Sequence, residues 1–282
     1  MAIRIITDST SDISKREAAQ KGIGVAGLTV VIDGVEYTEG EDITYENFYS
    51  LAENSTQVLT SQPSPSVFAK LFNEAKRAGD KVIGLFVSSH LSGTYQSACI
   101  AAESCEMKDI YLIDTQNISI SVRLMVYTAL ELIKKGISFD KLCEKMEEYK
   151  ERLDAYAIIG DLKYLKRSGR LSPTTAFVAN LFNMKPITTL KGKVEVISKA
   201  RGARAAIEKT LDIIQNTTTG IDRQEMCIVG YTGPETVWYK DLVISLEEKF
   251  SMGKNLSIHP IGASVGNHVG AGTVALAFFR NK

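Results

Sequence analysis

Three stretches of this chain concentrate side chains able to hold an anion. Thr60-Ser61-Gln62-Pro63-Ser64-Pro65 sets four polar side chains and two prolines ahead of a helical pattern. Ser88-Ser89-His90-Leu91-Ser92-Gly93-Thr94 lies between a strand-like and a helix-like segment. In both, hydroxyls meet a helix N-terminus, where free N–H groups and the helix dipole attract negative charge. Gly93 additionally lets a ligand approach the backbone closely. Serine and threonine are also the usual helix caps, so composition alone leaves that reading open. The third stretch, residues 262–272, contains Gly262-Ala263-Ser264-Val265-Gly266, the form of a hydrolase nucleophile elbow. An elbow leads into a helix and leaves room for a triad acid and base. Here no Asp or Glu follows Ser264, and the remaining residues read as a strand, so a serine-dependent acyl hydrolase is the weaker alternative. His268, set among glycines in the same stretch, could donate to an anion or sense its charge.

Other chemistries lack their signatures. No phosphate-binding loop of the G-x-x-x-x-G-K-[ST] type is present, and no G-x-G-x-x-G opens a helix after a strand. The four cysteines form no C-x-x-C pair and the three histidines have no metal spacing, so neither a metal nor another cofactor is expected. Scattered cysteines fit reduced thiols and a cytoplasmic location. Lys+Arg and Asp+Glu both number 33, which argues against nucleic acid as a partner. One local basic run, Lys163-Tyr164-Leu165-Lys166-Arg167-Ser168-Gly169-Arg170, is followed by Lys199, Arg201 and Arg204. It reads as a solvated helix face or as a docking face for an acidic partner, which keeps a regulatory protein-binding module among the alternatives.

The elements that must position these residues alternate between strand and helix, which predicts an α/β fold. Strands are expected at 3–7, 81–87 and 109–114, and a hairpin at 28–38 turning on Asp33-Gly34. Helices are expected after Asp12 up to Gly22, after Thr44, from the Pro63/Pro65 loop to Gly79, over 94–106, and in two pieces up to residue 151. A new alternation starts with a strand at 156–159, which sets a domain boundary near Asp154: an N-terminal α/β domain of residues 1–153 and a C-terminal one of 154–282. The second half shows helical pieces at 161–166 and 174–183, a hairpin at 187–198, a helix at 203–215, a strand at 226–231, a helix after Pro234, and closing strands at 256–261 and 273–279. The apolar run 175–184 reads as core rather than as a tunnel wall when taken alone.

Several motifs fall in one order along the chain. They are Asp8-Ser9-Thr10, Thr60-Ser61-Gln62-Pro63-Ser64, Leu91-Ser92-Gly93-Thr94-Tyr95-Gln96-Ser97-Ala98, Arg167-Ser168-Gly169-Arg170-Leu171-Ser172, Lys185-Pro186, Arg201 and His268-Val269-Gly270-Ala271-Gly272-Thr273. This order resembles the DegV family, the fatty-acid-binding (FakB-type) subunits of bacterial fatty acid kinase, over essentially the whole chain. The resemblance implies two α/β domains with a long-chain fatty acid held between them. Its carboxylate would be gripped by Thr60, Ser92 and His268, with backbone help near Ser61 and Gly93. A separate kinase subunit would bring ATP and metal and phosphorylate that carboxylate, feeding phospholipid synthesis, so the chain itself would be no enzyme. Arg201, and more weakly Arg170, would dock the partner, and lipid exchange would allow transient membrane contact. One departure stands out: the family has Gly-Pro-Gly where this chain has Gly270-Ala271-Gly272, which loosens the turn beside His268.

Overall fold

A computed structural model describes residues 2–172, 184–234 and 236–282. The chain divides into two compact units, one of Met1–Glu151 with Gly262–Ser264, the other of Arg152–Ile261 with Val265–Lys282. The division falls after Glu151, inside the last turn of a helix, and a short late segment returns to the first unit.

The first unit is built on four parallel strands in the order β2-β1-β6-β7: β1 (Ile3–Asp8), β2 (Gly24–Ala26), β6 (Lys81–Phe86) and β7 (Ile110–Asp114). The sheet interior is made of continuous apolar runs, as expected for parallel strands covered on both faces. Ile6, Val82 and Phe86 pack with Phe68, Phe72 and Ala75 of α3 (Pro65–Ala78) and Ala98 and Ala101 of α4 (Thr94–Ser104). Pro65 starts α3 and Gly79, left-handed at φ 68, ends it, the usual asymmetry of helix ends. The sequence placed the cap of α1 (Lys15–Lys21) on Asp12. The cap is Ser14, whose hydroxyl accepts from Glu17 N, and Asp12 is instead left-handed at φ 58. Two further helices close this unit, α5 (Ile120–Lys134) and α6 (Phe139–Arg152). Buried Arg123 of α5 ties back to α1 through an ion pair with Glu17 and a bond to the Asp12 carbonyl, with Tyr127 donating to the same glutamate.

Beside this sheet lies a three-stranded antiparallel one, β4-β3-β5, made of β3 (Thr29–Ile32), β4 (Val35–Thr38) and β5 (Val58–Ser61). Asp33 and Gly34 both take positive φ, 48° and 86°, which matches the twist of a two-residue hairpin. Helix α2 (Tyr45–Glu53) follows Thr44, whose backbone N–H is capped by Asn47 Oδ1 at 2.8 Å. The sequence suggests no strand over 58–61, yet β5 forms there. It pairs Thr60 with Val30 and Ser61 with Thr29, so both hydroxyls sit at the end of a strand.

The second unit carries a six-stranded mixed sheet, β10-β9-β8-β13-β11-β12. Its strands are β8 (Leu153–Ile158), β9 (Met184–Thr189), β10 (Glu195–Arg201), β11 (Cys227–Tyr231), β12 (Leu256–Pro260) and β13 (Val274–Phe279). Only β11 and β12 pair in parallel among these six. Ile207, Leu211 and Ile214 of α8 (Ala203–Thr217) and Leu242 and Leu246 of α9 (Tyr239–Phe250) cover it. The basic run forms α7 (Leu162–Ser168), capped by Asp161. The helix expected at 174–183 and the apolar run 175–184 fall on residues that, apart from Met184 at the start of β9, lie outside the described ones. Ser264 is followed not by strand but by α10 (Ala263–Val269), with the strand beginning only at Val274.

Candidate functional site

The parallel sheet reverses its direction of winding between β1 and β6, the place where open α/β sheets leave a crevice at the carboxyl ends of their strands. The loop after β1 and the loop after β6 border that point. Asp8, fully buried, joins them. Its Oδ1 accepts from Thr10 N at 2.9 Å and Thr10 Oγ1 at 2.5 Å, and its Oδ2 accepts from Val87 N at 3.0 Å. The β6 loop is further held by Ser88 N donating to the Asn117 carbonyl at 2.8 Å, while Leu91 N and Ser92 N turn back onto the Ser88 carbonyl. This folds Ser92 and Gly93 onto the start of α4, with the Ser92 and Thr94 hydroxyls 2.8 Å apart.

The end of β5 meets this same helix start. Gln62 lays its amide against the Gly93 backbone: a methyl group on Gly93 would stand 2.3 Å from Gln62 Oε1, 2.6 Å from Nε2 and 2.7 Å from Cδ. Gln62 Nε2 also donates to Ser97 Oγ at 3.2 Å. The structure therefore brings together the Thr60-Ser61-Gln62 and Ser92-Gly93 stretches singled out in the sequence. Ser61 is exposed, and Thr60, Ser92 and Gly93 are half-buried, so hydroxyls and the N–H groups of the α4 start form a donor-rich patch within reach of a ligand.

Next to it lies an acidic cluster that sequence reasoning missed, apart from Asp8 within a motif. Glu39 accepts from Ser264 N (2.8 Å), Ser264 Oγ (2.6 Å) and Ser9 Oγ (2.7 Å). Asp12 accepts from Gly262 N (2.7 Å) and Ser119 Oγ (2.5 Å). Burial raises all three carboxyls, Asp8 to about 6 and Asp12 to about 7, against the pull of their hydrogen bonds. Ser119 sits at φ 64, ψ −134, a region that is essentially glycine's, and Asp12 is left-handed, so backbone strain gathers around this pair. No pattern in the chain announces Glu39; its partners come from residues far away in sequence.

Ser264 is thus a buried serine bonded to a carboxylate. A nucleophile's oxygen must reach a substrate, and Ser264 is 2% exposed with its hydroxyl turned onto Glu39.

In the second unit His268 lies on α10, and burial first, then the charges of Arg170 and Arg167, lower its pKa to about 4. At neutral pH it is an uncharged imidazole beside two guanidinium groups, a combination suited to an anion. Arg167 reaches Asn267 Oδ1 at 3.4 Å and stacks on the Tyr164 ring, and Arg170 donates to the Ser168 carbonyl. Gly270 and Gly272 are both left-handed, φ 72 and 81, and the Ala271 carbonyl packs so tightly on Gly160 that a methyl there would stand 2.3 Å away. Alanine in place of proline therefore leaves the turn formed. Arg201 ends β10, exposed.

A family model described as an uncharacterised protein of the DegV family matches residues 2–281. The chain belongs to the DegV family. A DegV domain-containing protein of Staphylococcus aureus is 30% identical over 277 residues, 98% of each chain. A DegV family protein from Thermus thermophilus, described as binding fatty acid, superposes with a TM-score of 0.86 at 32% identity over the full length of both chains. DegV of Bacillus subtilis, described as a fatty acid binding protein, gives 0.84 at 26% over the full length of both. The α/β architecture of this DegV protein is that of those structures.

Proposed function

We propose that this DegV protein binds one long-chain fatty acid and presents its carboxylate to a separate ATP-dependent kinase. The supporting observation is the full-length likeness to fatty-acid-binding DegV structures, joined to a donor patch where Ser92 and Gly93 start α4 beside Thr60 and Ser61. In this reading Thr60, Ser61, Ser92 and Gly93 donate to the carboxylate and His268 is a further donor. A desolvated carboxylate requires several such bonds. The acyl chain supplies the affinity, at roughly 0.8 kcal/mol per buried CH₂.

The kinase step adds a carboxylate oxygen to the terminal phosphorus of ATP, releases ADP and leaves an acyl phosphate. ATP and metal belong to the partner, and Arg201, with Arg170 as a second candidate, faces it. Organic extraction of the purified protein followed by mass spectrometry tests the lipid reading. Recovery of stoichiometric fatty acid is expected; a protein that carries none and refuses added fatty acid overturns it.

A further inference from the structure

The carboxylate reading explains why hydroxyls and N–H groups gather at the start of α4. It does not explain the residue that touches them most closely. Gln62 follows the strand that carries Thr60 and Ser61, and the end of its amide fills the place a side chain at Gly93 would take, with Oε1, Nε2 and Cδ at 2.3, 2.6 and 2.7 Å from that position. That approach is possible only because position 93 has no side chain. One helical turn further on, Ser97 is buried and accepts from Gln62 Nε2 at 3.2 Å. Gly93, as the cap of α4, makes no side-chain cap bond of its own. The Gln62 amide occupies the place beside the helix start where a capping side chain would stand.

We propose that Gln62 is a positioning residue that locks the Thr60-Ser61 strand end against the Ser92-Gly93 helix start and, by being uncharged, keeps that spot selective for an anionic headgroup. The proposal rests on the fatty-acid reading above and deepens it. Glutamate has the same shape, and its carboxylate could accept from the Ser97 hydroxyl in place of the present donation, so packing and the tie to α4 would survive. What changes is a negative charge on exposed Gln62 beside half-buried Gly93, where like charges within a few ångströms repel.

The test measures oleate and oleyl alcohol binding to the wild type, Gln62→Glu and Gln62→Met at pH 8. The alcohol shares the acyl chain but not the charge. Gln62→Glu is expected to weaken oleate by at least about tenfold and to leave oleyl alcohol within about twofold, changing the acid-to-alcohol ratio as a general structural defect would not. Gln62→Met keeps the length without the amide and is expected to cost oleate about threefold, the loss of one ordinary hydrogen bond. If Gln62→Glu binds oleate like the wild type, or loses acid and alcohol in equal proportion, the role given to Gln62 is wrong. Should Gln62→Glu fail to fold, Gln62→Met decides through the same ratio: an unchanged ratio overturns the proposal. Wild-type protein that binds neither probe overturns the fatty-acid reading itself, a result distinct from any variant-specific one.

Discussion

Glu39 holds Ser264 by both its backbone N–H and its hydroxyl, at 2.8 and 2.6 Å, across 225 positions of sequence. The serine of the elbow-like motif is therefore a structural donor. A fluorophosphonate probe is expected to leave it unlabelled, and Ser264→Ala is expected to change no esterase signal. Glu39→Ala would strand the Ser9 and Ser264 hydroxyls and the Ser264 N–H, and should lower unfolding free energy by about 3 kcal/mol or more, read as a shift in denaturation midpoint.

The buried carboxyls give stability a definite pH dependence. Folding raises Asp8 to about 6 and Asp12 to about 7 from the ordinary 3.8, mainly through burial. The folded state then holds more protons than the unfolded one between pH 4 and 7, so their contribution is full below about pH 4 and is lost as pH rises through 6 and 7. His268, depressed to about 4, acts in the opposite sense, its contribution present above about 6.5 and lost on acidification. Comparing Asp12→Asn with the wild type isolates the acid: the difference between their stabilities is expected to shift in favour of the variant as pH rises from 5 to 8. A difference that stays flat over that range would show that Asp12 is already ionised throughout.

Ser92→Ala and Thr60→Ala each remove a hydroxyl from the donor patch while leaving the strand and helix that carry it. Hydrogen bonds to a charged group contribute about 1.5–3 kcal/mol, so fatty acid affinity should fall by roughly ten- to a hundredfold with an unchanged melting temperature. Isothermal titration and a thermal melt on the same samples check both halves of the statement.

Arg201 ends β10 in solvent. Arg201→Ala should leave fatty acid binding intact and reduce acyl phosphate formation when the kinase subunit and ATP are added. Loss of the bound lipid in this variant would move Arg201 from the partner's side to the ligand's.

Gly160→Ala should be poorly tolerated, because the new methyl would stand 2.3 Å from the Ala271 carbonyl and 2.8 Å from Gly272 C, both backbone atoms that cannot swing away. A loss of about 1–3 kcal/mol is expected, visible as a lower unfolding midpoint.

Much of this architecture was legible because it is written in local chemistry. Asp33-Gly34 must accept positive φ at two successive positions, and Pro65 and Gly79 punctuate α3, so those elements could be placed from the residues themselves. Strand β5 was missed because it is four residues long and its polar end looks like the loop that follows; only its pairing with β3 makes it a strand. Helix α10 was missed because it is short, carries Gly266 and Asn267 and is flanked by Gly262 and Gly270, all of which favour turns, and its first turn is fastened by Glu39, a partner no local pattern reveals. The donors Thr60, Ser61, Ser92 and Gly93 could be named because Ser, Thr and Gly near a helix start have few roles. Gln62 could be seen in its motif but not understood, since its meaning lies in the bare backbone of Gly93.

The return of Gly262–Ser264 to the first unit bears on how the protein is made. A ribosome emits the first 151 residues long before these three, so the nascent N-terminal half must wait with Glu39 lacking the donors of Ala263 and Ser264 and Asp12 lacking that of Gly262. Its final closure is a late event in synthesis, and expressing residues 1–151 alone would yield a domain whose acidic heart never receives its last stitch.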